Sequence, residues 1–157
     1  MEDTVTASES ATPAAGQAVP VSFWIIAGVS LLWNAFGGYD YIMTRLRNEA
    51  YLGKMGNAQD ILNWVDGMSI WAQIAWPVGV WASVVGSVLL LMRSRHAVTA
   101  FAVSLVGAVV SFVIQFASPM PASLDTPMNK AMPLVIVAII LLLWWYSRRS
   151  QARGILR

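Results

Sequence analysis

Few residues of this chain carry polar chemistry inside its apolar runs. Asn34, Gln73 and Gln115 place one amide in each of three long apolar segments, and Asp40 lies six positions beyond Asn34. The segments alternate in direction, so all four residues fall toward the same side of a bilayer. Trp71, Trp76, Tyr39 and Tyr41 lie at similar depth, and Pro77 is expected to kink its helix there. Amides both donate and accept, and rings supply flat apolar faces. A crevice built from them suits a neutral polyol or sugar. The commoner use of such amides is to hydrogen-bond one membrane helix to another, worth roughly 0.5–2 kcal/mol each. Asp40 also has a plainer reading, as an interface carboxylate facing Arg45 or Arg47 at the helix end.

The chemistry that is missing narrows the classes. With no cysteine, disulfides, thiolate metal sites and cysteine nucleophiles are excluded. A single histidine, His96, excludes a bis-histidine haem or a His-rich zinc site within one chain. No lysine lies at mid-span, so a retinal Schiff base is excluded. No arginine-rich helix suits voltage sensing, and no buried carboxylate–histidine relay suits proton pumping. No nucleophile–base pair, metal set or paired carboxylates can be assembled, so no enzymatic role and no cofactor are expected. The basic residues sit beside apolar runs rather than in an aromatic-interleaved patch, which argues against nucleic acid.

The elements that position these residues are membrane helices. The chain is 57% hydrophobic and 11% charged, against roughly 25% charged in soluble domains. About 20 helical residues cross the hydrocarbon core. Four apolar runs meet that need, at residues 21–43, 68–92, 97–118 and 128–146. The lipid bilayer is therefore the first partner. The fold expected is an all-α integral membrane protein, a bundle of four transmembrane helices. A short amphipathic helix near Ala58 to Val65, stopped by Gly67, is expected between the first and second, flat on the membrane surface. Residues 1–20 read as a disordered tail. Residues 147–157 read as a basic tail anchored by Trp144, Trp145 and Tyr146.

Two stripes of small residues suit close helix packing. Ala75, Gly79, Ala82, Ser83 and Gly86 share one side of the second run. Ser104, Ala108, Ser111 and Gln115 share one side of the third. Such stripes let backbones approach within a bundle or across a homo-oligomer. Gln73 faces away from its stripe, toward another partner or a cavity. Positive charge favours cytoplasmic termini: six basic residues (Arg93, Arg95, Arg148, Arg149, Arg153, Arg157) then lie inside. Four (Arg45, Arg47, Lys54, Lys130) lie outside.

Three stretches carry a resemblance. They are FWIIAGVSLLWNAFGGYDYIMTRLRNEAYL, WPVGVWASVVGSVLLLMRSRHAV and MPLVIVAIILLLWWYSRRSQARGIL. The chain resembles, over roughly residues 22–156, a family of small bacterial membrane proteins with four helices, labelled either uncharacterised membrane proteins or, loosely, sugar transporters. Asn34, Gly37, Tyr39, Asp40 and Tyr41 match the signature of that family's first helix. The resemblance implies a bacterial inner-membrane protein that transports a small solute. A non-catalytic accessory subunit of a larger membrane complex is the other reading, supported by the packing stripes and the scarcity of intramembrane charge. A four-helix transporter would need a homo-oligomer to enclose a pathway.

Overall fold

The computed structural model describes residues 19–157. The expected tail at residues 1–20 lies almost wholly outside them. Among the described residues the protein is all-helical. Four helices are long and apolar enough to span a membrane: α1 Val21–Arg45, α4 Ile70–Leu91, α5 His96–Ala117 and α6 Pro127–Ala152. Two short helices, α2 Glu49–Leu52 and α3 Ala58–Asp66, lie between the first two spans.

Five of the six starts have a local cause. Pro20 precedes α1, where a missing N–H costs nothing. The side chains of Asn48, Asn57, Ser69 and Thr126 accept hydrogen bonds from the first-turn N–H groups of α2, α3, α4 and α6. Oxygen side chains satisfy backbone donors that no helical carbonyl can reach. Arg47 (φ 55°) and Arg93 (φ 57°) reverse the chain after α1 and α4. α4 continues as one helix through Pro77, and α6 through Pro133. Membrane helices tolerate proline because neighbouring groups can satisfy the freed carbonyl.

The two small-residue stripes face each other. Gly79, Ser83 and Gly86 of α4 and Ser104, Ala108 and Ser111 of α5 are all buried, as is Ala75. At the crossing, a Cβ on Gly79 would lie 2.9 Å from the Ala108 nitrogen. One on Gly107 would lie 2.7 Å from the Gly79 nitrogen. The Ser104 hydroxyl donates to the Gly79 carbonyl at 2.7 Å. The stripes are therefore occupied inside the chain, and they are not free to form a contact between copies.

α1 packs on α4, and α6 packs on α5. The four helices close together at only one end. There Phe23 and Ala27 of α1 meet Leu90 of α4, Ala97 and Phe101 of α5, and Leu143 of α6. Phe23 stacks on Tyr146 at 6.3 Å. The expected basic tail is largely helix, since α6 runs on to Ala152. Gly154, at φ +71°, then turns the chain back. The Arg157 N–H donates to the Arg93 carbonyl (2.7 Å), and the Arg95 N–H donates to the Arg157 carbonyl (2.8 Å). Leu156 is buried in the same cluster. Arg148 and Arg149 lie over the rings of Trp144 and Trp145 at 5.0 and 5.4 Å, an aromatic and basic belt at this end.

At the other end the bundle is capped rather than closed. α3 does not lay its apolar face on lipid, as expected from its sequence. Leu62 and Val65 are buried against the protein instead. Residues 119–126 lie against it, with Leu124 buried and the Ser123 hydroxyl bonded to Asp60. Arg47 grips Asp66 with both guanidinium nitrogens at 3.0–3.1 Å. Both partners are about half exposed, so Asp66→Asn is expected to cost no more than about 1 kcal/mol in a thermal melt.

Candidate functional site

Beneath that cap lies a cavity between α1, α4, α5 and α6. It has two adjoining compartments of about 280 and 260 Å³. They share Asp40, Met55, Trp76, Phe112, Met132 and Ile136. Close backbone contact between α1 and α6 is sparse. The wall between them is therefore incomplete along the compartment lined by Trp33, Phe36 and Gly37 on one side and Met132, Ile136 and Ile140 on the other.

Four of the sequence candidates line this cavity: Asn34, Asp40, Trp76 and Gln115. Asn34 is held by a serine ladder. Its Nδ2 donates to the Ser30 carbonyl at 3.0 Å and to the Ser87 hydroxyl at 2.9 Å. The Ser87 hydroxyl donates to the Ser83 carbonyl at 2.9 Å. Its single proton is then committed, so Ser30 must be the donor in the 2.7 Å Ser30–Ser87 contact. This ladder ties α1 to α4. It also fixes the Asn34 amide, because only the nitrogen can donate to the Ser30 carbonyl. Asn34 thus serves the packing role expected of it. Its nitrogen holds two helices together, and its oxygen has no intramolecular partner among the described residues.

Asp40 does not pair with an arginine. Its Oδ1 accepts from the Tyr51 hydroxyl at 2.9 Å, and Arg47 is committed to Asp66. Arg45 and Arg47 open instead on a separate surface dent with Asp66 and Gln73. The expected interface ion pair is therefore absent among the described residues, because the chain reversal after α1 carries Arg47 to α3 and brings Tyr51 back to Asp40. Burial first, and then the Asp40 carboxylate that it faces, push the Tyr51 phenol up to about 12. The phenol stays protonated, and so remains a donor, throughout the neutral range. Tyr39 meets Tyr51 edge-on at 5.4 Å. Gln115 donates from Nε2 to the Ser111 hydroxyl at 2.7 Å.

The other three candidates lie elsewhere. Gln73 folds back on its own N-terminal turn, donating to the Met68 carbonyl at 3.0 Å. Trp71 is 70% exposed on the outer α4–α5 surface, as an interfacial ring would be. Tyr41 stands behind the site, edge-on to Trp76 at 5.0 Å and to Trp81 at 6.3 Å. Residues that sequence reasoning missed include Ser30 and Ser87, Tyr51, Phe112, and the methionines Met55, Met68, Met120 and Met132. The serines carried a signal: Ser30 with Asn34, and Ser83 with Ser87, are i, i+4 pairs. The methionines carried none.

Comparison with protein-family models, with curated proteins and with solved structures finds no match for this chain.

Proposed function

We infer that this protein is a small transporter and that the cavity beneath α3 is its solute site. The observation that carries the reading is the cavity itself. A membrane bundle that existed only to pack would not leave two joined compartments with a carboxylate and three amides on their wall. The resemblance supports a bacterial inner membrane, and the basic-residue count supports cytoplasmic termini. The cavity then faces the outer side, with α3 as its cover. A neutral polar solute such as a sugar is the occupant expected from the amides and rings.

A second reading has its own support. α6 packs mainly on α5 and leaves Leu134, Leu142 and Trp145 more than half exposed. In an accessory subunit, a partner's helix would enter the gap between α1 and α6.

The cysteine-free chain allows a direct test. A Cβ at Gly37, on the cavity wall, meets nothing within 4 Å. In oriented vesicles, Gly37→Cys is expected to react with a membrane-impermeant maleimide from the outer side. Val106→Cys, on the apolar outer surface, is expected not to react. No reaction at Gly37→Cys from either side would mean that the gap holds lipid or a partner helix, and the transporter reading would fall.

A further inference from the structure

The charge of the cavity has one sign. Among the described residues, Asp40 is the only charged one that lines either compartment. Of the neighbouring cations, Arg47 is bonded to Asp66 and Lys130 to Asp125, and Arg45 opens on the separate dent with Asp66 and Gln73. Among the described residues, the only side-chain group bonded to the carboxylate is a neutral phenol, on Oδ1. Oδ2 has no partner.

The amides add to this polarity. The nitrogens of Asn34, Gln115 and Asn129 already donate within the protein, to Ser30 and Ser87, to Ser111 and to the Leu124 carbonyl. Among the described residues all three amide oxygens are left without a partner, beside one N–H each on Gln115 and Asn129. The rest of the wall is mainly apolar, with the thioethers and rings of Met55, Met132, Trp76 and Phe112 among aliphatic side chains and the hydroxyl residues Thr44, Ser83 and Ser111. A sugar needs a dense set of donors and acceptors along its whole rim. A bare divalent cation needs about six or more oxygens. Among the described residues no three His, Asp or Glu side chains gather to hold a metal.

We propose that the cavity takes an organic cation: an ammonium on an apolar body, with its charge at Asp40 and its body against Trp76, Phe112 and Met132. Aromatic faces and thioethers favour such a cation where water is scarce. The Asp40 carboxylate replaces the counter-ion that the cation loses on leaving water. The incomplete wall between α1 and α6 admits an amphiphilic cation from the bilayer as well as from under α3. The proposal rests on the reading of the cavity as a solute site and replaces the neutral occupant with a charged one.

The test uses the full chain in nanodiscs, with benzyltrimethylammonium as the probe and glucose and sodium chloride as controls. The cation is expected to raise the melting temperature and to protect Gly37→Cys from maleimide, and the controls are expected to do neither. Asp40→Asn keeps an oxygen for the Tyr51 hydroxyl and is expected to weaken binding by about tenfold or more, the loss of one desolvated charge pair. Met132→Lys leaves Asp40 in place and puts an ammonium into the same space. It is expected to abolish binding, and because Met132 is partly exposed, the lysine can be accommodated. Binding that survives both variants would overturn the proposal. So would a cavity that maleimide reaches but the cation neither protects nor stabilises; a glucose effect there would restore the neutral occupant. If maleimide does not reach Gly37→Cys at all, the solute-site reading itself fails.

Discussion

Gly107→Val is expected to destabilise the folded chain by about 3 kcal/mol, near the upper end of the overpacking range. Its effect is read as a large drop in melting temperature in mild detergent. Gly107 and Gly79 bring α4 and α5 into backbone contact. A Cβ on Gly107 would lie 2.7 Å from the Gly79 nitrogen, 2.9 Å from its Cα and 3.0 Å from the Ala75 carbonyl oxygen. Every one of these neighbours is main chain, so no side chain can turn aside. The helices would have to separate, and the 2.7 Å bond from Ser104 to the Gly79 carbonyl would be lost with the contact. Lipid tails are as apolar as the helix surface, so this close approach is itself the main force holding α4 to α5. Gly28→Val is the control: a Cβ there meets nothing within 4 Å, and the change is expected to stay within about 0.5 kcal/mol. A Gly107→Val protein that melts like the parent would mean that the α4–α5 crossing lies elsewhere.

The features that the sequence revealed were local ones. Four apolar runs had no stable alternative to spanning helices, because only a helix satisfies every backbone group within its own segment. The α4 and α5 stripes were legible for the same reason, as helical spacing puts small residues on one line. Gly107 escaped because it sits beside the Ser104–Ala108–Ser111 line rather than on it, though it makes the tightest contact. The cavity was legible only in part. It exists because α1 and α6 converge at the Phe23–Tyr146 stack and not along their length, and no periodicity reports a gap between two helices distant in sequence. Asp40 was misassigned for a related reason. Arg45 and Arg47 are nearer in sequence than Tyr51, but Arg47 at φ 55° turns the chain and returns Tyr51 to the carboxylate. Gln73 sits so close to the start of α4 that its own turn offered the nearest acceptor, the Met68 carbonyl. The small amphipathic helix was found in the sequence, but its apolar side could have met lipid or protein equally well, and the cavity rim supplied the protein.

Phe101→Ala is expected to have the other large effect, about 3 kcal/mol, typical of truncating a fully buried ring. Phe101 is fully buried and belongs to the one cluster that joins all four spans. Its ring lies over Gly86, where a Cβ would come within 3.0–3.2 Å of three ring carbons. Gly86→Val alone is therefore destabilising, by about 1–3 kcal/mol of overpacking. Placed in the Phe101→Ala protein, the same valine enters space that the ring has left. The two changes should couple, and the double variant should be more stable than the sum of its parts by about 1 kcal/mol or more. A purely additive cycle would mean that Phe101 does not pack on Gly86. The same residue bears on the function. The Phe23–Phe101–Leu143 cluster is the seal between the cavity and the Arg93 side of the membrane. A transporter must break that seal in one of its states, and an accessory subunit never needs to. If the protein is a transporter, weakening the seal with Phe101→Ala should make Gly37→Cys reactive from the Arg93 side as well as from the α3 side. Labelling that stays confined to the α3 side in a variant that is destabilised but folded would favour a fixed bundle and the accessory role.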